Sequence, residues 1–245
     1  MFHTLFYQPT LNALLWIHQA IPGADFGVAI VLLTVAVRTL LIPVAKQGIQ
    51  SQAALQRIQP ELKTFRKKYK SDPQQLTKET LALYKREGIH PFSGFVPILI
   101  QLPVIFALIR VINTVFPRNG TFDPAAIAGD LYGFVAAPEI LEVTGLFGAI
   151  PDLTAQSVVL AVLAGAAQFI QGRLMFHTRP QAASQETDMQ RAMRTQMLYI
   201  FPVLTVFIAA SLPAAFALYW FTATAFAAVQ QVLTFRDRNA NPTKP

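Results

Sequence analysis

The sequence predicts an all-α membrane protein. It has five transmembrane helices, the N-terminus outside and the C-terminus in the cytosol, a cytosolic antiparallel helical hairpin, and a polar groove facing the cytosol. Three observations lead there. Of 245 residues, 53% are hydrophobic and only 13% charged, against about 25% charged in an ordinary soluble domain. Five stretches stay apolar over the roughly 20 residues that a bilayer requires. The 20 Lys and Arg, set against 13 Asp and Glu, collect in alternate connections between those stretches.

The elements follow in order. Residues 1–25 lack the basic start of a cleavable signal peptide, because the first Lys or Arg is Arg38. Within them, residues 10–21 are apolar but too short to span and are ended by Pro22-Gly23; Trp16 and His18 suit an interfacial helix. Span 1 covers 26–45. The polar insert 46–93 carries Leu55, Ile58, Leu62, Phe65 and Tyr69 at spacings of 3, 4, 3 and 4, the seam of a helix packed on another. Pro60 predicts a kink or restart inside it. Asp72-Pro73-Gln74-Gln75 then supplies an N-cap, a proline at the first helical position and a glutamine three residues after the cap. The second arm carries Leu76, Leu81, Leu83 and Tyr84 and stops at Gly88.

Span 2 covers 94–116 and contains Pro97 and Pro103. The connection 117–155 reads as an external loop with a short amphipathic helix, since Asp130, Pro138, Glu139 and Glu142 interrupt its apolar part. Span 3 covers 156–176, followed by a cytosolic loop at 177–194. Spans 4 and 5, 195–211 and 213–235, meet at Leu212-Pro213 and must form an antiparallel hairpin; a short tail, 236–245, follows.

Orientation comes from the basic residues. Segment 46–93 holds ten Lys and Arg, the stretch Arg173 to Arg194 four, the tail three, and segment 117–155 only Arg118. Five spans put the three basic segments on one side, which the positive-inside rule makes the cytosol.

Chemistry is excluded more than indicated. There is no cysteine, hence no disulfide or thiolate site. His3, His18, His90 and His177 are scattered, and no phosphate-binding glycine loop, GxSxG or HExxH occurs. No Asp or Glu falls inside a span, which argues against two-carboxylate catalysis and proton-coupled transport. The chain reads as a non-enzyme with no metal and no cofactor.

Arg38 is the informative residue. An arginine at mid-span costs about 2.5–3.5 kcal/mol on insertion scales, so it marks a function by default. Reaching the cytosolic headgroups would run against the lean of helical side chains toward their own N-terminus. Gln101, Gln168, Gln171, Gln230 and Gln231 fall at similar depth, roughly 6–12 Å below the cytosolic face at the helical rise. Singly, each reads as a helix–helix hydrogen bond; together with Arg38 they outline a cavity open to the cytosol and closed outside. Arg110 lies near the outer end of span 2, beside Asn113 and Thr114. On the hairpin, Lys63, Arg66, Lys67 and Lys70 share one face. Two readings of it stand: a solvated basic face, or contact with anionic lipid headgroups or ribosomal RNA.

TVAVRTLLIPVAKQ around Arg38, QPEL at 59–62, LALYKREGIHP at 81–91, PFSGFVPILIQLPVIFAL at 91–108, FIQGRL at 169–174 and ALYWFTATAFAAVQQ at 217–231 resemble the YidC/Oxa/Alb insertases over nearly the whole chain. The resemblance implies insertion of client segments from the cytosol into the bilayer without ATP. It implies that Arg38 receives the polar, often acidic, part of a client, and that Gln171 and Trp220 line the groove, with Gln101 in the matching segment. It also implies nascent membrane proteins as clients, the ribosome and the Sec translocon as partners, and a monomer as the working unit. No extra N-terminal span with a large external domain and no long ribosome-binding tail is expected. The rival reading is a small channel or anion carrier with Arg38 and Arg110 as a solute ladder; the apolar outer halves of the spans speak against it.

Overall fold

A computed structural model describes the chain except residues 22, 24, 89–95, 117–121, 123, 139–140, 142–143, 178–193 and 241–245; the side chains of 49–50, 52–53, 55–56, 96–101, 175–177 and 235–240 are also outside it. The expected start of span 2, most of the 177–194 loop and the end of the tail therefore lie outside the described residues. The described residues are helical, with isolated bridges in place of strands. They form two compact units, Met1–Leu40 with Pro103–Pro245, and Leu41–Leu102.

In the larger unit, a π-helical turn at His3–Tyr7 leads into α1 (Gln8–Ala20). This helix starts earlier than the sequence pattern suggests and is buried along one side, with Leu11, Leu14 and Leu15 sealed in the core while Trp16 is 54% exposed. Asn12 explains why an apolar stretch too short to span is nevertheless fixed. Its Nδ2 donates to the Asp130 carbonyl at 2.8 Å, and its Oδ1 accepts from Tyr132 N–H at 2.7 Å. A buried amide satisfied on both atoms holds α1 against the segment around Asp130 and Tyr132.

Helix α2 (Phe26–Leu40) is capped by Asp25, whose Oδ1 accepts from Val28 N–H at 2.8 Å. It stops at Leu40, earlier than the predicted end of span 1. Pro43 has no N–H for the Thr39 carbonyl and restricts Ile42, so the helix breaks at Leu41 and a new one begins.

The remaining helices of this unit are α6 (Val96–Val115, which enters the unit at Pro103 and whose described side chains start at Leu102), the short α7 (Ala125–Ala128), α8 (Val158–His177), α9 (Phe201–Ser211, entered through a π-helical turn at Gln196–Ile200) and α10 (Ala214–Ala240). Helix α10 packs on α8, on α2 and on α9, and α8 packs on α9. Glycine sets the α8–α9 approach. A methyl at Gly165 would stand 2.3 Å from Val206 Cγ2 and 3.0 Å from the Pro202 carbonyl oxygen, and one at Gly172 would stand 3.4 Å from the Met197 carbonyl oxygen. Small residues let helices close where lipid offers no hydrophobic drive.

Residues 145–156 tie three helix starts together. Gly145 and Gly27 approach so closely that a Cβ on Gly27 would lie 2.6 Å from Gly145 Cα, and one on Gly145 would meet Leu153 Cδ2 at 2.8 Å. The first donors of α10 are satisfied there: Ala214 N–H donates to Ala155 at 2.7 Å and Ala215 N–H to Leu153 at 2.9 Å. The α9–α10 turn at Leu212-Pro213 is the expected hairpin, locked by Gln156 Nε2 on the Ser211 carbonyl at 3.3 Å.

The core lies toward this stitched end. It takes Phe26, Ala29 and Ile30 from the start of α2, Leu108 to Val115 from the end of α6, and Ala214 to Ala223 from the start of α10. The buried polar side chains Thr224, Gln231 and Thr234 occupy the other part of α10. Valines and larger apolar residues on the outside of α8 and α9, among them Val159, Val203 and Phe207, are more than half exposed.

In the smaller unit, α3 (Ile42–Arg57) restarts at Ile58 as α4 (Gln59–Lys68), with Pro60 in the first turn where its missing N–H costs nothing. Helix α5 (Pro73–Arg86) begins as predicted: Asp72 Oδ1 accepts from Gln75 N–H at 2.9 Å. Gln75 does not close a capping box, because its Nε2 donates to Glu79 instead at 3.1 Å. Ile58, Leu62 and Leu83 form the seam, with Ala54, Phe65 and Tyr84 against it. Leu81, expected among the apolar residues of the second arm, is 54% exposed, two residues and so about half a turn from Leu83. Arg86 fastens the arms through Glu61 at 2.8 Å, and Gly88 ends α5 at φ +64°.

Among the described residues, Ala214–Thr234 is long and apolar enough to cross a bilayer as one helix, and Phe26–Leu40 with Ile42–Gly48 qualifies as a broken pair. Leu102–Val115, Val158–Leu174 and Gln196–Ser211 are apolar and shorter.

Candidate functional site

Arg38 sits in the last turn of α2, partly buried, four residues after Thr34, so the two share a face. Thr34 is buried and returns its hydroxyl to the Ile30 carbonyl at 2.6 Å, which satisfies it without a partner helix. The Arg38 guanidinium lies within electrostatic range of Tyr219 on α10. Tyr219 is itself buried and was missed by sequence reasoning, although it adjoins Trp220 in the same LYW triplet.

Helical periodicity sorts the other residues. On α10, Tyr219, Ala223, Phe226 and Gln230 recur at spacings of 4, 3 and 4, a stripe on the Arg38 side. Ala217, Thr224, Ala228 and Gln231 form a second, buried stripe. Trp220 lies between them, half-buried, with its ring edge-on to Phe216 at 5.3 Å. On α8, Leu160, Ala164, Ala167 and Gln171 share one stripe; Ala161, Gly165, Gln168 and Gly172 share the next, whose glycines meet α9. Gln171 and Gln168 therefore do different things: Gln168 belongs to the side that closes on α9.

The stitched helix starts allow depths to be compared. Arg38 is 12 residues into α2, Gln171 is 13 into α8 and Gln230 is 16 into α10, or about 18, 20 and 24 Å along their helices. All three stand within roughly one turn of the same level, beyond the apolar core. Gln230 Nε2 is buried with no hydrogen-bond partner among the described residues. A buried donor without an acceptor is costly, about 1–3 kcal/mol, and so points to something that supplies one. Gln101 lies in α6, and its side chain is outside the described residues.

Arg110 is not part of this group. Its guanidinium caps the Tyr7 ring at 4.9 Å from the centroid, a cation–π contact that covers the N-terminal turn. Thr114 bonds back to the Arg110 carbonyl at 2.9 Å. Arg38 thus faces Tyr219 on α10, and Arg110 faces Tyr7 in the N-terminal turn.

On the hairpin, Arg66, Lys67 and Lys70 are exposed and Lys63 is partly buried. Lys68 turns onto the Tyr69 ring at 5.1 Å. Among the described residues no group of three or more His, Cys, Asp or Glu could hold a metal.

The sequence matches the family described as 60Kd inner membrane protein over residues 16–241. It is 31% identical to a membrane protein insertase YidC of Clostridium tetani over 213 residues, 87% of this chain and 83% of the relative. It is 30% identical to that of Oceanobacillus iheyensis over 241 residues, 95% and 83% respectively, and 29% identical to that of Fusobacterium nucleatum over 208 residues, 84% of each.

Proposed function

The chain belongs to the YidC/Oxa/Alb family of membrane insertases, and from that premise we propose that it inserts client segments from the cytosol into the inner membrane, with Arg38 as the residue that receives them. The observation that carries the reading is the placement of a cation with Gln171 and Gln230 at one level of a bundle whose apolar core fills the opposite end.

An insertase that uses no ATP must lower the barrier for a short hydrophilic tail to enter hydrocarbon. A polar groove reaching half-way shortens the apolar distance that remains. Within it, Arg38 stabilises an acidic tail by charge, where low dielectric strengthens the attraction. The open Nε2 donor of Gln230 donates to a carbonyl or carboxylate oxygen of the client, and Trp220 with Gln171 completes the wall. The client's apolar helix then partitions into lipid along the exposed faces of α8 and α9, and that transfer drives the step. No bond is made or broken.

In this reading five segments cross the bilayer with the N-terminus outside, and the hairpin lies in the cytosol. Its basic face, Lys63, Arg66, Lys67 and Lys70, meets anionic headgroups or the ribosome as nascent chains arrive. The Sec translocon is a second partner, and the protein acts as a monomer.

The test is Arg38→Ala. Insertion of clients with acidic tails is lost while the protein still accumulates in the membrane, as read by protease protection of the client tail in inverted vesicles. Normal insertion by that variant removes Arg38 from the mechanism.

A further inference from the structure

The external loop holds a feature that client insertion does not use. Gly145 and Ile150 pair through two backbone hydrogen bonds of 2.9 Å, and the chain between them turns through three successive left-handed residues: Leu146 at φ 54°, Phe147 at φ 58° and Gly148 at φ 83°. Two of these are not glycine, and such strain persists only where the surroundings over-determine it. Asp25 does so. Its Oδ1 accepts from Leu146 N–H at 2.9 Å, its Oδ2 accepts a short bond from Phe147 N–H, and the same carboxylate caps α2 through Val28. The close approach of Gly27 to Gly145 fixes the loop from beneath.

The outcome is an outward phenylalanine. Leu146 packs against the core, whereas Phe147 is 79% exposed. The segment Thr144–Pro151 has no charged residue, so nothing in it recruits a charged partner. Its position supplies the occupant. Asp25 pins Phe147 to the first turn of α2, and Gly145 rests on Leu153, five residues before α8 begins. Val158 and Val159 open that helix at 66% and 71% exposure, with Val162 a turn further on. Phe147 therefore stands at the rim of an apolar surface that continues down α8, the depth at which aromatic rings settle between headgroups and acyl chains.

We propose that Phe147 is an interfacial anchor: the Asp25-held loop presents its ring to the acyl–headgroup boundary of the bilayer at the end of the bundle away from Arg38. The occupant is phospholipid, and the anchor fixes how deep the helix starts sit. The proposal is independent of the insertase reading, because it concerns the protein's placement in the membrane and not what Arg38 does.

Phe147→Trp tests it in the full-length protein reconstituted in phosphatidylcholine vesicles, by difference from the unsubstituted chain with its two tryptophans. The added emission is expected to be blue-shifted, to lose most of its intensity when the lipid is brominated near the carbonyl end of its acyl chains, and to be insensitive to iodide. Quenching by iodide without quenching by bromolipid overturns the proposal by placing the ring in water. Insensitivity to both also overturns it, because protein then covers the residue. Since the larger ring could disturb the turn, a nitroxide at Phe147→Cys is the second measurement, at a unique thiol in a chain without cysteine. Greater accessibility to oxygen than to a water-soluble nickel chelate supports the anchor; the opposite ratio overturns it. Client insertion by either variant is scored separately, so loss of one result does not entail loss of the other.

Discussion

At the scale of single residues, the polar groups of this protein divide by what completes them. Thr34 is satisfied within its own helix, Asn12 by the backbone of a distant loop, and Arg110 by an aromatic face. Arg38 lies within electrostatic range of Tyr219, and Gln230 Nε2 has no hydrogen-bond partner among the described residues. Asp152 shows the structural counterpart. Burial pushes its pKa up, but hydrogen bonds from the Thr154 hydroxyl at 2.6 Å and from the Thr154 and Ala155 N–H groups together outweigh it, holding the carboxyl below its usual range. A depressed folded pKa means the group contributes stability above its unfolded value of about 3.9 and loses that contribution as pH falls through the folded value. Thermal melts in detergent should therefore show a decline below about pH 4 that is shallower in Asp152→Asn. An unchanged acid limb would remove Asp152 from that account. The arginine was legible in the sequence because its cost in an apolar span is large. Tyr219 was not, because a tyrosine in such a span looks like core until a cation is found beside it.

At the scale of elements, patterns of spacing proved sound where one neighbour decided the packing. The hairpin seam at Ile58, Leu62 and Phe65 and the cap at Asp72 stand as the sequence indicates. Leu81 failed because composition counted it as apolar while phase turned it outward. The break at Leu41 was overlooked for a related reason: hydropathy runs straight through Pro43 although the backbone cannot. Helix α8 has apolar residues on every side, so hydropathy could not tell the α9 face from the α10 face; its glycines do. Gly165→Ala should cost about 1–3 kcal/mol by overpacking against Val206 and the Pro202 carbonyl. Val206→Ala in the same chain should recover part of it, giving a measurable coupling in a double-mutant cycle. Additive effects in reversible detergent unfolding would mean the two helices do not close there.

For the whole molecule, the decisive quantity is the distribution of charge against apolar surface. Single cysteines in this cysteine-free chain test the direction it implies. A thiol at Gly133 should be labelled by an impermeant maleimide from outside intact cells, and one at Lys85 only after the inner face is opened; the reverse pattern would invert the topology. The sequence alone determined the helical class, the apolar segments, the basic hairpin and the family, because hydropathy, helical phase and motif spacing are local properties of a chain. Only the tertiary structure decided which residues share a level. Arg38, Gln171 and Gln230 are separated by 133 and 59 positions, and they can be compared because residues 145–156 bind the starts of α2, α8 and α10 together. That stitching depends on two glycines in contact and on backbone hydrogen bonds, which hydropathy does not register.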